Sequence, residues 1–186
     1  MSVTVTERMW QVFLNSLEVP YDWSPVVSIA PKLNYRPTMF LHDQGAFLDV
    51  MSVEHDEEDE RATDRDESGF SIPQACVANV CHMPLFVTDQ CPCLTTPPSD
   101  HIGGDYSFNE IPSFDVHLSD NCWDRNYMWC ECPHCGMLGI EYMGRADRIS
   151  CECPKSAHGD KGYNYDSERL IRAYRKVDQV FEASGE

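Results

Sequence analysis

The sequence predicts an α/β protein: a small mixed sheet flanked by helices, with an inserted cysteine-rich ribbon and a C-terminal helix. Three observations carry this expectation. Apolar residues recur at helical spacing near both ends, as Trp10, Phe13, Leu14 and Leu17 and again as Leu170, Tyr174, Val177 and Phe181. Between them Ala46–Met51, Ile72–His82 and Met83–Thr88 read as strand, helix and strand, the form of a parallel crossover. Two close pairs of thiols follow, Cys132 with Cys135 and Cys151 with Cys153. The expected organisation is a core over residues 1–94, an irregular connection over 95–121, the ribbon over 122–160 and a closing segment over 161–186.

The elements follow in order. Thr4-Val-Thr-Glu7 fits a capping box and starts a helix over residues 5–17, which Pro20 ends. Val19–Pro25, Val26–Ala30 and Tyr35–Leu41 read as short extended segments, with Pro37 placing the last at an edge or a start. His42–Gly45 is turn chemistry before the apolar strand Ala46–Met51, which carries one acid, Asp49. Residues 95–121 are rich in Pro, Gly, Ser and Asp, and Tyr106, Phe108, Ile111 and Phe114 are expected to pin them to the core. Leu138–Met143 and Arg148–Ser150 are the expected ribbon strands. Asp166 or Ser167 caps the last helix, and Gly185 marks its end.

A chain of 186 residues with 42% hydrophobic content suits one domain with a small appendage. No run approaches the roughly 18 apolar residues of a membrane span, and no basic region followed by an apolar run marks a signal peptide. The formal charge is −17. Residues 1–121 hold 20 of the acids and 5 of the bases, against 11 and 9 in residues 122–186. A contact with phosphate backbones therefore needs a local basic face in the C-terminal third, where Arg145, Arg148, Arg169, Arg172, Arg175 and Lys176 lie. In residues 54–67, nine of fourteen side chains are acidic. Such a run is ordinarily a solvated surface; its functional alternative is a phosphate-mimicking patch, with Glu57, Glu58, Asp59 and Glu60 docking on a basic partner.

Ten cysteines without a visible signal peptide point to metal binding in a reduced compartment. Zinc takes four soft or borderline ligands in a tetrahedron. Cys132 and Cys135, with Gly136 just after, can supply two corners and Cys151 with Cys153 the other two. Cys130 can substitute for Cys132, and His158 for Cys153. Four thiolates leave no open position, so the expected role of the zinc is structural. Cys76, Cys81, His82, Cys91 and Cys93 contain enough ligands for a second metal; as small apolar residues, the cysteines equally suit a core.

With these residues set out, the chain resembles PD-(D/E)xK nuclease-like proteins with a C-terminal zinc ribbon, of the kind common in actinobacteria and their phages. Glu7 matches the glutamate of the first helix. Tyr35-Arg-Pro-Thr38 matches the strand that normally ends in aspartate, and Phe47-Leu-Asp-Val-Met51 matches the strand that normally reads Glu-x-Lys. Ile72–Val87 matches the following helix and strand. The resemblance implies a restriction-endonuclease-like core and a bacterial or phage-infected cytoplasm. It also implies that Glu7 and Asp49 are remnants of a catalytic magnesium site. Thr38 stands at the expected aspartate and Met51 at the expected lysine. Magnesium needs hard oxygen ligands, and Met51 cannot orient a water. Each acid also has a structural reading: Glu7 in the capping box, and Asp49 as a hydrogen-bonded acid in its strand.

Three functions compete at this level. The first is a catalytically degenerate, zinc-binding protein acting in nucleic-acid transactions or their inhibition by binding. The second is an acidic nucleic-acid mimic that docks on a basic partner, for example a nucleic-acid-processing complex. The third is a metal-dependent nuclease with relocated ligands.

Overall fold

The computed structural model describes residues 3–31, 33–51, 72–94, 111–117, 123–142 and 164–184. In chain order the elements are α1 (Val5–Ser16), β1 (Tyr21–Trp23), β2 (Val27–Ala30), β3 (Leu33–Tyr35), β4 (Met39–Leu41) and β5 (Ala46–Val50). They continue with α2 (Ile72–Cys81), β6 (Leu85–Thr88), β7 (Phe114–His117), β8 (Trp123–Glu131), β9 (Leu138–Tyr142) and α3 (Glu168–Ser184). Seven strands form a mixed sheet in the order β1-β4-β5-β6-β7-β8-β9, and β2 with β3 forms a separate two-stranded sheet. The α/β class is as expected. Among the described residues no helix is long and apolar enough to cross a membrane.

The chain divides into two compact units, each made of separated segments. One comprises Val19–Asp89 and Phe114–Arg125, the other Met1–Glu18, Gln90–Ser113 and Asn126–Glu186. The first helix thus groups with the last, although its sequence neighbours are the strands of the other unit.

In the first of these units, β4 and β5 form an antiparallel hairpin across the turn His42–Gly45. Gly45 closes that turn at a φ of +56°, a left-handed conformation that glycine adopts without steric cost. Strands β5 and β6 are parallel, with Phe47 opposite Leu85 and Asp49 opposite Val87, so the α2 crossover is as expected. Every residue of β5 is buried. Phe47, Leu85 and Val87 meet Val77 and Ala78 of α2 and Val27 of β2 in one apolar cluster. Tyr35, Phe40, Met51 and Cys81 close around it. Strand alternation puts Asp49 on the same face of β5 as Phe47, facing this cluster.

Two expectations about this region need correction. The segment Tyr35–Leu41 is not one strand: β3 ends at Tyr35 and β4 begins at Met39, with Pro37 between. Proline has no N–H to donate to a ladder, which accounts for the interruption. The connection 95–121 is not irregular throughout, because Phe114–His117 is a strand antiparallel to β6. Phe114 and Val116 are buried while Asp115 is not, a two-residue alternation too short to stand out from its polar surroundings.

The second unit brings α1 against α3. Phe13 stacks on Tyr174 at 4.5 Å between ring centroids and meets Trp129 of β8 at 6.1 Å. Such aromatic pairs contribute about 0.5–1.5 kcal/mol each beyond area burial. Trp10, Phe13, Leu14 and Leu17 from α1 and its cap, and Leu170, Tyr174, Val177 and Phe181 from α3, are all buried, as their spacing predicts. The expected capping box is present at Thr4 and Glu7. Ser167 caps α3, its hydroxyl accepting from the Leu170 N–H at 3.2 Å. Strand β8 is nine residues long and was hidden by its polar first half. It pairs with β9 from Tyr127–Tyr142 to Glu131–Leu138.

Candidate functional site

Three sets of residues carry the chemistry expected from the sequence: the Asp49 cluster in one unit, and the Cys132–Cys135 turn and the basic face of α3 in the other.

Asp49 sits on β5 with its side chain buried. Burial alone disfavours a charged carboxylate, so its oxygens need donors. The fold provides three. Thr38 Oγ1 donates to Oδ1 at 3.2 Å, Gln74 Nε2 donates to Oδ2 at 2.9 Å, and the Tyr35 hydroxyl donates to Oδ2. Thr38 Oγ1 itself accepts from the Val50 N–H at 3.0 Å. Burial, and secondarily the Asp49 charge, push the Tyr35 hydroxyl well above the usual tyrosine range. The raised ionisation keeps Tyr35 a hydrogen-bond donor to Asp49.

This arrangement matches a hydrogen-bonded structural carboxylate better than a magnesium site. Magnesium requires hard oxygens with lone pairs directed at the ion; here three side-chain donors take three of the roughly four acceptor sites of the Asp49 carboxylate. Thr38, where the resemblance leads one to expect aspartate, donates a hydrogen bond to Asp49 and offers no second carboxylate. Met51, in place of the lysine, packs against the apolar cluster of α2 and β6. Glu7 belongs to the other unit. Its carboxylate accepts from the Thr4 N–H at 2.7 Å, and its own N–H donates to Thr4 Oγ1 at 3.2 Å. The capping box thus accounts for Glu7 without a metal.

Tyr35 and Gln74 were not singled out from the sequence. A donor account for Asp49 could have found them, because a buried acid in an apolar strand requires partners from elsewhere. Gln74 is also a polar residue among the apolar residues that open α2.

The second set is the β8–β9 turn. Cys132 and Cys135 stand three residues apart across it. The Cys132 N–H donates to Met137 O at 2.8 Å, and the Gly136 N–H donates to Cys132 O at 2.9 Å. Gly136 has a φ of +72°, where a side chain would be strained. Cys132 is buried and Cys135 exposed. Two thiols at this spacing in a closed turn suit adjacent corners of a zinc tetrahedron. Glu131, just before Cys132, pairs with Asn164 through its N–H at 3.1 Å. Asn164 therefore lies beside the Cys132–Cys135 turn. Cys151, Cys153 and His158 lie outside the described residues. Cys130 serves the core of its unit: it is buried, its thiol donates to Met128 O at 3.5 Å, and burial with nearby Glu141 pushes its ionisation well up.

The possible second metal set has residues in both units. Cys76 and Cys81 lie on α2 in one unit, while Cys91 and Cys93 belong to the other. Burial raises the Cys81 thiol. Among the described residues no group of three or more His, Cys, Asp or Glu side chains is placed to hold a metal ion.

The basic residues divide in role. Arg169 donates through Nη2 to Leu17 O at 2.8 Å and through Nη1 to Gly136 O at 3.1 Å. It satisfies a carbonyl at the end of α1 and another at the cysteine turn, a task within the fold. Arg172, Arg175 and Lys176 are exposed on α3. Arg172 pairs with Glu168 one turn earlier at 2.7 Å, both side chains largely in water. Arg145, Arg148 and the acidic residues Glu57, Glu58, Asp59 and Glu60 lie outside the described residues.

The chain matches no known protein family, no curated protein and no solved structure.

Proposed function

We propose that this protein is a zinc-ribbon protein with a nuclease-like α/β core that acts in nucleic-acid transactions by binding, without cleavage. The Asp49 cluster carries the reading. A cleaving site of this type needs carboxylates open to a metal and a base to activate water. Asp49 instead accepts from Tyr35, Thr38 and Gln74, and Met51 packs into an apolar cluster. Cys132 and Cys135 would hold a zinc ion together with Cys151 and Cys153. Bound there, the ion supplies a cross-link between the two knuckles and no open coordination position.

The nucleic-acid side of the reading is supported by Arg172, Arg175 and Lys176, exposed together near the middle of α3. An exposed pair such as Arg172 with Glu168 contributes little by itself, so exchanging the glutamate for a phosphate costs little. With a chain charge of −17, such contacts must be local and steeply salt-dependent.

The test uses the full zinc-loaded chain with labelled single-stranded and double-stranded DNA and RNA. We expect binding at low salt that weakens as salt rises. Replacing Arg172, Arg175 and Lys176 together by alanine should weaken it about tenfold or more and reduce the salt slope by about 2–3. Absence of binding at low salt, or an unchanged slope, overturns the nucleic-acid reading. In parallel, incubation with magnesium or manganese should give no cleavage. Cleavage by the wild type that Asp49→Ala abolishes would show a working nuclease.

A further inference from the structure

Cys91, Pro92 and Cys93 directly follow Gln90 after β6, in the unit that contains α1 and α3. The chain folds back on itself there: the Cys93 N–H donates to the Cys91 carbonyl at 2.8 Å. A bond from position i+2 to position i is that of a γ-turn, which draws the two α-carbons together. A disulfide requires α-carbons about 4.4–6.8 Å apart. Pro92 is buried, and its ring fixes the backbone between the two thiols. The thiols themselves are partly buried and carry no disulfide; burial, and secondarily the neighbouring Cys91, push the Cys93 thiol up to about 11.

The turn is also held from outside. Trp10 Nε1 donates to Gln90 O at 3.0 Å, and Gln90 Oε1 accepts from the Ser113 N–H at 2.9 Å. Thr6 Oγ1 lies 4.0 Å from Cys91 Sγ. Two thiols are thus kept adjacent, reachable from solvent and without a third metal ligand among the described residues. The other described pairs differ: Cys76 and Cys81 stand five positions apart on α2, and Cys130 and Cys132 are both buried.

We infer that Cys91 and Cys93 form a reversible dithiol–disulfide couple that exchanges with low-molecular-weight disulfides. The thiolate of one cysteine attacks a sulfur of the small disulfide, expelling one small thiolate, which takes up a proton. The second cysteine loses its proton and attacks the resulting mixed disulfide at the protein sulfur, forming the Cys91–Cys93 bond. A second small thiolate leaves and is protonated. Two protein thiols are oxidised by two electrons, and one small disulfide is reduced to two thiols. The same steps in reverse restore the dithiol.

Oxidised glutathione is the probe. The zinc-loaded full chain is incubated with it, remaining thiols are alkylated, and the Cys91–Cys93 peptide is weighed. The wild type should lose both thiols there, carry no glutathione and recover both with excess reduced glutathione. Cys93→Ser should instead trap glutathione on Cys91, raising that adduct about tenfold or more over the wild type. The inference is overturned if both thiols stay open to alkylation in the wild type. It is equally overturned if the adduct is as abundant in the wild type as in Cys93→Ser. A third adverse result is an additional zinc per chain that protects both thiols and is lost in Cys91→Ser, which would make the pair part of a metal site.

Discussion

Asp49 and Tyr35 depend on each other. The acid is buried in a strand whose neighbours are apolar, and its hydroxyl and amide donors come from β3, α2 and the turn before β4. Removing the acceptor takes one partner from three donors at once, Thr38 and Gln74 buried and Tyr35 partly so. Asp49→Ala should therefore destabilise the protein by about 3 kcal/mol. Tyr35→Phe removes one donor and leaves two, so its cost at pH 7 should be about 1–2 kcal/mol. The pH dependence has a definite sign. The Tyr35 ionisation is raised in the folded protein, so the unfolded chain releases this proton first. Its contribution to stability is full below the ordinary tyrosine range, about pH 10, and is lost as pH rises beyond it. Tyr35→Phe should flatten this alkaline loss. Urea unfolding of both proteins at pH 7 and pH 11 checks the point: an equal alkaline loss in both would remove Tyr35 as its source.

At the scale of elements, the helix ends are where the fold departs from local preference. Glu18, just past α1, and His82, directly after α2, adopt φ values of 59° and 54°. These are left-handed conformations that glycine adopts without the Cβ clash. Each side chain there costs stability and, among the described contacts of Glu18, the fold uses only its backbone N–H, which donates to Asn15 O at 3.2 Å. Glu18→Gly and His82→Gly should each stabilise by about 0.5–1 kcal/mol, less the entropy that glycine adds to the unfolded chain. Thermal melts showing no rise in Tm for either would mean that the side chains make compensating contacts. Gly136 is the reverse case: the left-handed position in the cysteine turn already has the residue it requires.

For the molecule as a whole, the cysteine turn is tied to other parts of its unit. Arg169 links the Gly136 carbonyl to the last turn of α1, and Asn164 brings the chain before α3 beside Glu131. A metal at Cys132 and Cys135 would thus brace the same unit as α1 and α3. On the proposed reading the purified protein contains one zinc per chain. Removing it with a chelator should lower Tm by about 10 °C or more, and Cys132→Ser or Cys135→Ser should reproduce the shift. A metal-free chain that melts where the untreated protein does would exclude a structural zinc. Cys130→Ser should also lower Tm, but with the zinc content intact, because Cys130 is a core thiol.

Much of the architecture was legible in the sequence because its determinants are local. The capping box spans four residues, the stripes of α1 and α3 recur within each turn, and the crossover is written in consecutive apolar runs. The cysteine turn could be read for the same reason, since two thiols and a glycine lie within five positions. Strands β7 and β8 were obscured because their pairing partners, rather than their own composition, make them strands. The roles of Asp49 and Arg169 were decided by tertiary structure alone. The donors to Asp49 stand 11, 14 and 25 positions away, and Arg169 reaches a carbonyl 152 positions earlier. A carboxylate or a guanidinium has the same local chemistry whether it meets a metal, a phosphate or a protein hydrogen bond. The long-range partners determine which of these it meets.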